Sequence, residues 1–374
     1  MVLYRKYRPQ KFSELIGEKE IITILQNEIK QEKTAHAYLF AGPRGVGKTT
    51  MARILAKAVN CANRKKGEAE PCDQCLSCQE IAQGKSFDLI EIDAASNRGI
   101  NEIRELKERI RFLPSLSRFR VFIIDEVHML TPEAFNALLK TLEEPPSYVL
   151  FILATTKIHE LPETIISRCQ VFKFTKIPLE EIVDYLKEIA KKEGVKISEE
   201  VLKIIAFRSE GCARDAMSLL GQIIALGDKE ITLEEAMLVL PPSQLNLVID
   251  LLDLLIKKEA KGAIELVNNL LAEGGDLDQF ITDFIDFLRK VFLQKVGVLD
   301  ESYKFHLDEE LNKNLTRLAE SIDLKDLVRL IERFVKLKIG FEYSEIPQLP
   351  IELAILELSQ VDSASAEPRY GGGK

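Results

Sequence analysis

One stretch of the chain joins a short apolar run to a glycine-rich turn: Tyr38-Leu39-Phe40-Ala41-Gly42-Pro43-Arg44-Gly45-Val46-Gly47-Lys48-Thr49. The apolar run is typical of a buried strand, and a helical pattern continues from Thr49 to Asn60. Glycines between a strand and a helix let the backbone wrap tightly, so that its N–H groups can point at phosphate oxygens. This context favours a phosphate-binding loop over a chance glycine turn.

The polar residues of this turn suit a nucleoside triphosphate. Lys48 would reach the β and γ phosphates, and the Thr49 hydroxyl would hold Mg²⁺. We therefore expect ATP and Mg²⁺ to bind here. The residues predicted to contact the nucleotide are Gly42, Pro43, Arg44, Gly45, Val46, Gly47, Lys48, Thr49 and Thr50.

A second motif, Val121-Phe122-Ile123-Ile124-Asp125-Glu126, is an apolar strand that ends in two acids. Parallel strands end at a common sheet edge, so both carboxylates would lie near the phosphate loop. Asp125 would support Mg²⁺ and Glu126 would polarise the attacking water, whereas a kinase would place a substrate hydroxyl there. The bland alternative is a pair of solvated acids. The motif favours ATP hydrolysis.

Residues 1–176 alternate short apolar runs with longer helical patterns, which predicts an α/β domain with a doubly wound parallel sheet. Strands are expected at Tyr38–Ala41, Asp88–Ile92, Val121–Ile124, Val149–Ala154 and Gln170–Phe174. Helical patterns lie near Thr49–Asn60, Asn101–Phe112, Pro132–Glu143 and Pro162–Ile166.

From Ile177 onward the strand signal disappears and apolar residues recur at three- and four-residue intervals. The prolines of Leu240-Pro241-Pro242 interrupt this pattern. We therefore predict a small helical domain over 177–240, a second all-helical domain over 243–360, and a disordered tail over 361–374. Helices of the first are expected at Leu179–Glu193, Glu199–Ser209, Ala213–Leu226 and Leu233–Val239.

Four of the six cysteines, Cys61, Cys72, Cys75 and Cys78, are clustered. Two consecutive C-x2-C steps and a fourth thiolate suit tetrahedral Zn²⁺ in a module at 61–78. The alternatives are four reduced surface thiols or an iron–sulfur cluster. An iron–sulfur cluster is the less favoured of these, because the sequence has no redox motif near the cysteines. No catalytic acid accompanies the cysteines, so a structural zinc site is predicted.

The formal net charge of the 374 residues is -8, which taken alone argues against a nucleic-acid partner. Residues 1–176 nevertheless carry 27 Lys and Arg against 22 Asp and Glu, a net of +5, so the acidic excess belongs to the helical part. Local cationic groups are sufficient for sequence-independent binding to a DNA backbone. With no secretory signal and no membrane-length apolar run, we expect a cytoplasmic protein.

These motifs together resemble the γ/τ family of bacterial DNA polymerase III subunits, the AAA+ ATPase motors of the sliding-clamp loader. The resemblance covers Leu3 to about Leu240 motif by motif, and the C-terminal helices only by position and length. It implies an AAA+ fold with a zinc-binding insertion, a helical lid and an all-α collar that oligomerises. The segments that carry it are Arg5-Lys6-Tyr7-Arg8-Pro9, the phosphate loop, the four-cysteine insertion, Asp125-Glu126-Val127-His128, Ala154-Thr155-Thr156 and Ser167-Arg168-Cys169.

The resemblance also implies roles for single residues. Arg168 would act in trans as a finger on ATP bound to the neighbouring subunit. Thr155 would be the first sensor, which feels the γ-phosphate or the lytic water, and Arg214 the second sensor, on the lid. Tyr7, Arg8, Pro9 and Ile16 would line the adenine site. His128 is given no catalytic role.

The partners that the resemblance implies are other clamp-loader subunits and copies of this chain in a hetero-pentamer, the sliding clamp, and primed DNA. For DNA the sequence offers only Arg98 and Asn101, at a predicted helix start where phosphates can bind without base reading. A capped and solvated helix start, or a bridge from Arg98 to a neighbouring subunit, is an equal alternative.

Two other functions fit parts of the sequence. A nonhydrolysing scaffold subunit of the same machine would not need intact Lys48, Thr49, Asp125 and Glu126. A branch-migration or helicase-type AAA+ ATPase is not expected to carry the four-cysteine insertion. The motifs favour a clamp-loader motor over both.

Overall fold

The computed structural model describes residues 2–227, 230–233, 235–236, 244–272, 274–298, 309–340, 346 and 348–359. The chain divides into two compact units, Met1–Leu240 and Pro241–Lys374. The prolines expected to interrupt the helical pattern, at 241 and 242, and the expected tail over 361–374 lie outside the described residues.

The first unit contains a five-stranded sheet in which every neighbouring pair is parallel. The strand order is β2-β3-β4-β1-β5. Each strand lies within about a residue of the expected bounds, and the predicted doubly wound α/β fold is confirmed. The strands are β1 (Ala37–Ala41), β2 (Leu89–Asp93), β3 (Arg120–Asp125), β4 (Val149–Thr155) and β5 (Gln170–Lys173).

Helices cover both faces of this sheet because successive residues of a strand point to opposite sides. Tyr38 and Phe40 of β1 pack into one core, and Ala37 and Leu39 pack into the other. The helices α2 (Lys19–Lys30) and α3 (Lys48–Asn60) cover the first face, and α5 (Ile100–Ile110), α6 (Pro132–Glu143) and α7 (Glu163–Ile166) cover the second. Between α3 and β2 lies the cysteine-rich insertion, with the short helix α4 (Leu76–Gln83).

The strand order brings three chain segments to one sheet edge. Ala41, the last residue of β1, pairs with Thr155 at the end of β4. On the other side of β4 lies β3, which ends at Asp125. The loop after β1, the end of β4 and the acids after β3 therefore lie side by side, where parallel sheets commonly bind ligands.

Residues after Ile177 form a small helical domain on the same unit, with α8 (Leu179–Glu193), α9 (Glu199–Arg208) and α10 (Ala213–Ile224). Leu3, from the N-terminal helix α1 (Leu3–Lys6), is buried in its core. Two short parallel strands, β6 (Lys196–Ile197) and β7 (Glu230–Ile231), contradict the expectation that strands end at Ile177. Two residues are too few to give a period-2 signal. The helix expected at Leu233–Val239 lies partly outside the described residues.

In the second unit all the described elements are helices: α11 (Gln244–Ile256), α12 (Ala260–Ala272), α13 (Leu277–Lys295), α14 (Glu309–Ser321), α15 (Leu324–Gly340) and α16 (Leu349–Ser359). Phe284 of α13 and Phe334 of α15 pack edge to face, with 4.6 Å between ring centroids. Among the described helices, none combines the length and the apolar character needed to cross a membrane.

Candidate active site

A cavity of about 810 Å³ lies between the sheet edge and the helical domain of the first unit. This volume falls within the range of small-molecule sites. Most of the residues predicted from the sequence line it: Tyr7, Arg8, Pro9, Ile16, Arg44, Gly45, Val46, Gly47, Lys48, Thr49, Thr50, Asp125, Glu126 and Arg214. Gly42 and Pro43 belong to the same loop but are not part of this lining.

Two glycines of the phosphate loop stand where no side chain fits. Gly42 has a φ of +153°, and a Cβ there would lie 2.3 Å from the carbonyl oxygen of Phe174. At Gly45, with a φ of +74°, a Cβ would lie 2.0 Å from Sγ of Cys212 in the helical domain. The loop therefore passes between the end of the sheet and the helical domain with no room to spare, and its backbone faces the cavity.

Lys48 is the first residue of α3 and only 5% exposed. Its Nζ donates hydrogen bonds to the carbonyl oxygens of Gly42, at 2.7 Å, and Pro43, at 2.6 Å. Burial lowers the pKa of Lys48, while the carboxylates of Glu126 and Asp125 oppose that shift. The ammonium group is thus held over the loop by carbonyls that phosphate oxygens would replace.

Thr49 and Asp125 lie in contact at the sheet edge, and the Thr49 hydroxyl donates to Oδ2 of Asp125 at 2.7 Å. A hydroxyl and a carboxylate are the hard oxygen ligands that Mg²⁺ prefers, and Mg²⁺ at such sites is completed by phosphate oxygens and water. Both residues line the cavity beside Lys48. The donor set therefore fits the expected Mg²⁺ ion.

Glu126 has a left-handed backbone conformation, with φ 48° and ψ 46°. Its Oε2 accepts hydrogen bonds from the backbone N–H of Thr156, at 3.2 Å, and from the Thr156 hydroxyl, at 2.9 Å. Nδ1 of His128 lies 3.4 Å from the same oxygen. A left-handed non-glycine residue is sparsely populated and persists only where its surroundings hold it. The structure thus shows Glu126 turned toward the end of β4.

Thr155 is fully buried and is not part of the cavity lining. Its hydroxyl lies 3.0 Å from Nδ1 of His128 and accepts a hydrogen bond from the backbone N–H of Lys157, at 3.0 Å. The hydroxyl of the predicted sensor residue is therefore engaged by the His128 ring and by the backbone of Lys157. Its role stays a prediction.

Arg214 reaches the cavity from the start of α10 in the helical domain. Its guanidinium carbon lies 4.9 Å from the ring centroid of Tyr4, within the range of a cation–π contact. A hydrogen bond from Arg214 also lowers the pKa of Tyr4. Sequence reasoning missed Tyr4, whose position one turn before Tyr7-Arg8-Pro9 is the only signal that the sequence offers.

The proposed adenine residues form another wall of the cavity, with Tyr7, Arg8, Pro9 and Ile16 in its lining. The carbonyl oxygen of Tyr7 accepts from the Tyr185 hydroxyl at 3.1 Å. Nε of Arg8 donates to the Thr50 hydroxyl at 3.2 Å, and burial lowers the pKa of Arg8 to about 10, with Arg53 adding to the shift. This wall is thereby tied both to α3 and to the helical domain.

Arg168, which follows α7, lies outside the cavity lining. Its Nη1 donates to the carbonyl oxygen of Thr164 at 2.7 Å, and its guanidinium forms an ion pair with Glu143. The side chain is 32% exposed. This chain therefore does not bring Arg168 to its own phosphate loop, as a residue that acts on a neighbouring subunit requires.

Of the two predicted DNA contacts, Arg98 is exposed, and its Nε donates to the carbonyl oxygen of Ala95 at 3.0 Å. Asn101 lies in the first turn of α5, and its side chain is outside the described residues. No described contact distinguishes DNA binding from the alternatives for this helix start, so both assignments stay predictions.

The four clustered cysteines place their Sγ atoms within 4.8 Å of one another. Backbone N–H groups donate to two of the sulfurs: Cys72 to Cys61 at 3.3 Å, and Cys75 to Cys72 at 3.2 Å. Burial opposes ionisation of Cys72, but the N–H groups of Gln74 and Cys75 outweigh it and lower the pKa of Cys72 to about 6. Convergent thiols with N–H groups directed at sulfur fit a tetrahedral Zn²⁺ ion.

If the cluster binds zinc as predicted, removal of the ion should destabilise the first unit, because a structural zinc ion contributes its binding energy to folding. We expect about one equivalent of zinc per chain, and a fall in Tm of about 5 °C or more after chelation. Metal analysis and thermal unfolding measure both. Cys75→Ser should lower the zinc content, whereas Cys169→Ser, outside the cluster, should not. Equal zinc content in the two variants would contradict the site.

Three family models match the chain. A model of the DNA polymerase III delta subunit matches residues 17–178. The clamp loader subunit ATPase lid domain of DNA polymerase III matches residues 181–229, and domain III of the DNA polymerase III subunits gamma and tau matches residues 231–368. The three matches follow one another along the chain, over the five-stranded sheet, the helical domain and the second unit.

Among solved structures the chain is similar to the clamp loader delta protein of Bacillus subtilis, with 16% identity and a TM-score of 0.41 over 90% of this chain and 99% of that one. It is also similar to the Thermotoga maritima RuvB branch migration motor, with 20% identity and a TM-score of 0.49 over 73% of this chain and 87% of that one. Both likenesses are too weak to carry an argument.

Curated relatives are much more similar. The DNA polymerase III subunit tau of Bacillus subtilis is 41% identical over 97% of this chain, which spans 64% of that protein. The subunit gamma of Buchnera aphidicola from Acyrthosiphon pisum is 43% identical over 77% of this chain and 79% of its own length. The chain spans 46% of the Escherichia coli tau subunit, to which it is 39% identical. By these identities and coverages, the chain belongs to the gamma/tau family of DNA polymerase III subunits.

Proposed function

We propose that this chain is an ATPase motor subunit of the bacterial DNA polymerase III clamp loader. It would use ATP binding and hydrolysis to open the sliding clamp and load it on primed DNA. One observation carries the proposal: a single cavity joins Lys48, Thr49, Asp125 and Glu126 of the sheet edge to Arg214 of the helical domain. A site with these groups can both hydrolyse ATP and sense it from the lid.

Each group in the cavity has a distinct part in hydrolysis. Lys48 and the loop N–H groups would hold the phosphates, and Thr49 and Asp125 would hold Mg²⁺, which supplies charge neutralisation for the transferring phosphoryl group. Glu126 orients and polarises the attacking water. Arg214 contacts the nucleotide from α10, so that binding draws the helical domain toward the loop.

The contacts that Glu126 makes in this structure would slow ATP hydrolysis by the isolated chain. Its carboxylate is held by two hydrogen bonds from Thr156. Both hydrogen bonds hold Oε2 toward β4, and breaking them would free the carboxylate to turn toward the attacking water. Release of Thr156 is therefore part of activation.

Fast hydrolysis also needs a neighbour. Arg168 lies outside the cavity of its own chain and is partly exposed. A neighbouring subunit or a second copy of this chain would supply the equivalent arginine at the γ-phosphate. Assembly into the hetero-pentamer, contact with the clamp and primed DNA would together control turnover.

The two remaining candidate functions stay open to experiment. A nonhydrolysing scaffold would not need the arrangement of Lys48, Thr49, Asp125 and Glu126 around one cavity. A branch-migration or helicase-type motor would unwind branched DNA without any clamp. We favour the motor of a clamp loader because the curated relatives at 39–43% identity are gamma and tau subunits.

Replacing Lys48 by alanine tests the motor against the scaffold. The ammonium contacts the carbonyl oxygens of the phosphate loop, so its loss should lower ATP turnover about 10²- to 10³-fold, as expected for an electrostatic group that acts on the phosphates. The measurement is phosphate release by this chain with partner subunits, clamp and primed DNA.

The exposed Lys203, paired with Glu199 on α9, offers a control, because Lys203→Ala leaves the cavity untouched and should leave turnover unchanged. Equal turnover by wild type and Lys48→Ala would contradict the motor function and favour the nonhydrolysing scaffold.

A further inference from the structure

The cysteine-rich insertion lies between α3 and β2. One of its side chains, that of Glu70, holds the chain segment next to the cavity. Both carboxylate oxygens of Glu70 accept backbone hydrogen bonds, from Phe12 and from Ser13, each at 3.0 Å. Oε1 of Glu70 also accepts from Gln26 at 3.2 Å. Phe12 begins a short 3-10 turn, so Glu70 serves as its N-terminal cap.

A second link runs through a buried lysine. Lys57 lies in α3 and is 2% exposed, and its Nζ forms an ion pair with Asp73. The same Nζ donates to the backbone oxygen of Gln10, at 3.1 Å, and to its Oε1, at 3.0 Å. Asp73 sits inside the cysteine cluster, between Cys72 and Cys75.

Gln10 passes this link on to the cavity wall. Its Nε2 donates to the carbonyl oxygen of Arg8 at 3.0 Å, and Arg8 in turn donates to Thr50. Arg8, Gln10 and Lys57 all line the cavity. The contacts therefore run without interruption from the cysteine cluster to the cavity wall that contains Arg8.

The position of Asp73 depends on the cluster around it. Its backbone is left-handed, with a φ of +58°, a conformation that is uncommon for residues other than glycine. The neighbouring N–H groups of Gln74 and Cys75 are directed at Sγ of Cys72. A metal ion on the four sulfurs would fix this turn, and with it the carboxylate that faces Lys57.

We infer that metal binding by the cysteine cluster is energetically coupled to nucleotide binding in the cavity, and that Lys57 is the positioning residue that couples them. The inference rests on the proposed function, since it takes the cavity to be the nucleotide site. Metal loss lets Asp73 relax, Lys57 then loses its anion, and the segment from Arg8 to Ser13 is held less firmly when nucleotide arrives.

Coupling between two binding sites is reciprocal: zinc should strengthen nucleotide binding by the same factor by which nucleotide strengthens zinc binding. We expect a factor of about ten, within the usual range for coupled sites. ADP affinity is measured by titration of the full chain with a fluorescent ADP analogue, with and without zinc. Zinc affinity is measured by competition with a chromophoric chelator, with and without saturating ADP.

The decisive variant is Lys57→Met, which keeps the volume and removes the charge. In the zinc-loaded protein it should weaken ADP binding about tenfold while zinc content stays at about one equivalent, and it should bring the coupling factor close to one. Asp73 is not a predicted zinc ligand, so Asp73→Asn should likewise weaken ADP binding, keep the zinc content and bring the coupling factor close to one. In the double variant the two losses should not add, because both remove one ion pair.

If Lys57 were only structural, Lys57→Met would lower Tm without changing the coupling factor. The coupling factor therefore distinguishes a structural role of Lys57 from a coupling role. Lys192→Met, which breaks the exposed pair with Glu188, is the matched control and should keep the wild-type factor. The inference is overturned if ADP leaves the zinc affinity of the wild type unchanged, or if Lys57→Met keeps the full factor. No ADP binding by zinc-loaded wild type would instead overturn the proposed function, and this inference with it.

Discussion

Arg168→Ala is expected to leave ATP binding by this chain unchanged and to lower hydrolysis by the assembled complex about 10³-fold or more. Arg168 lies outside its own cavity, so its loss does not disturb the nucleotide contacts of the same chain. It would remove the charge that stabilises the transferring phosphoryl group on the neighbouring subunit. Nucleotide titration of the isolated chain and phosphate release by the complex separate the two effects.

Arg118→Ala provides the control, because Arg118 is 52% exposed and pairs only loosely with Glu32, at 3.6 Å. This variant should hydrolyse ATP at the wild-type rate. Normal hydrolysis by an assembled complex that carries Arg168→Ala would show that Arg168 is not the arginine that acts on the neighbouring subunit.

Glu126→Gln should produce the second large effect, a fall in hydrolysis of about 10² to 10⁴-fold with ATP still bound. The amide keeps the shape of the side chain and can still meet Thr156, but it cannot accept the proton of the attacking water. The expected result is a trapped ATP state, which is measured as nucleotide content after isolation of the complex together with single-turnover hydrolysis.

Asp125→Asn distinguishes the two acids at the end of β3. Because Asp125 contacts Thr49 at the predicted Mg²⁺ site, its loss should raise the Mg²⁺ concentration needed for hydrolysis, whereas Glu126→Gln should not.

Unchanged single-turnover hydrolysis by Glu126→Gln would contradict the role of Glu126 as the base.

The sheet and the phosphate loop could be predicted because their signals are local. A run such as Val121-Phe122-Ile123-Ile124 is buried on both faces and reads as one apolar block. Gly42 and Gly45 stand where backbone geometry excludes a side chain, and both belong to the loop motif. Cys72, Cys75 and their partners form their cluster within a short chain segment.

The contacts that position these groups were not predictable, because they join distant parts of the chain. Thr156 meets Glu126 across 30 residues, and Lys57 meets Gln10 across 47. Tyr4 contacts Arg214 only because α1 packs on the helical domain. A threonine, a lysine and a tyrosine at these positions have no pattern of their own, so only the fold reveals what they hold.

The charge distribution changes its meaning once the chain is divided. The total of -8 suggests a protein that avoids nucleic acid, but residues 1–176 carry a net of +5. The cationic part is the one that contains the phosphate loop and Arg98. Its charge is compatible with sequence-independent contact to a DNA backbone, which should weaken as salt concentration rises.

In the proposed function, ATP turnover at this cavity serves clamp loading. The most direct measurement is steady-state phosphate release by the complex of this chain with its partner subunits, with the sliding clamp and primed DNA added separately and together. We expect a rate that rises strongly when clamp and primed DNA are both present and that is lost with Lys48→Ala. A rate indifferent to the clamp, together with unwinding of branched DNA by the chain alone, would contradict the proposed function.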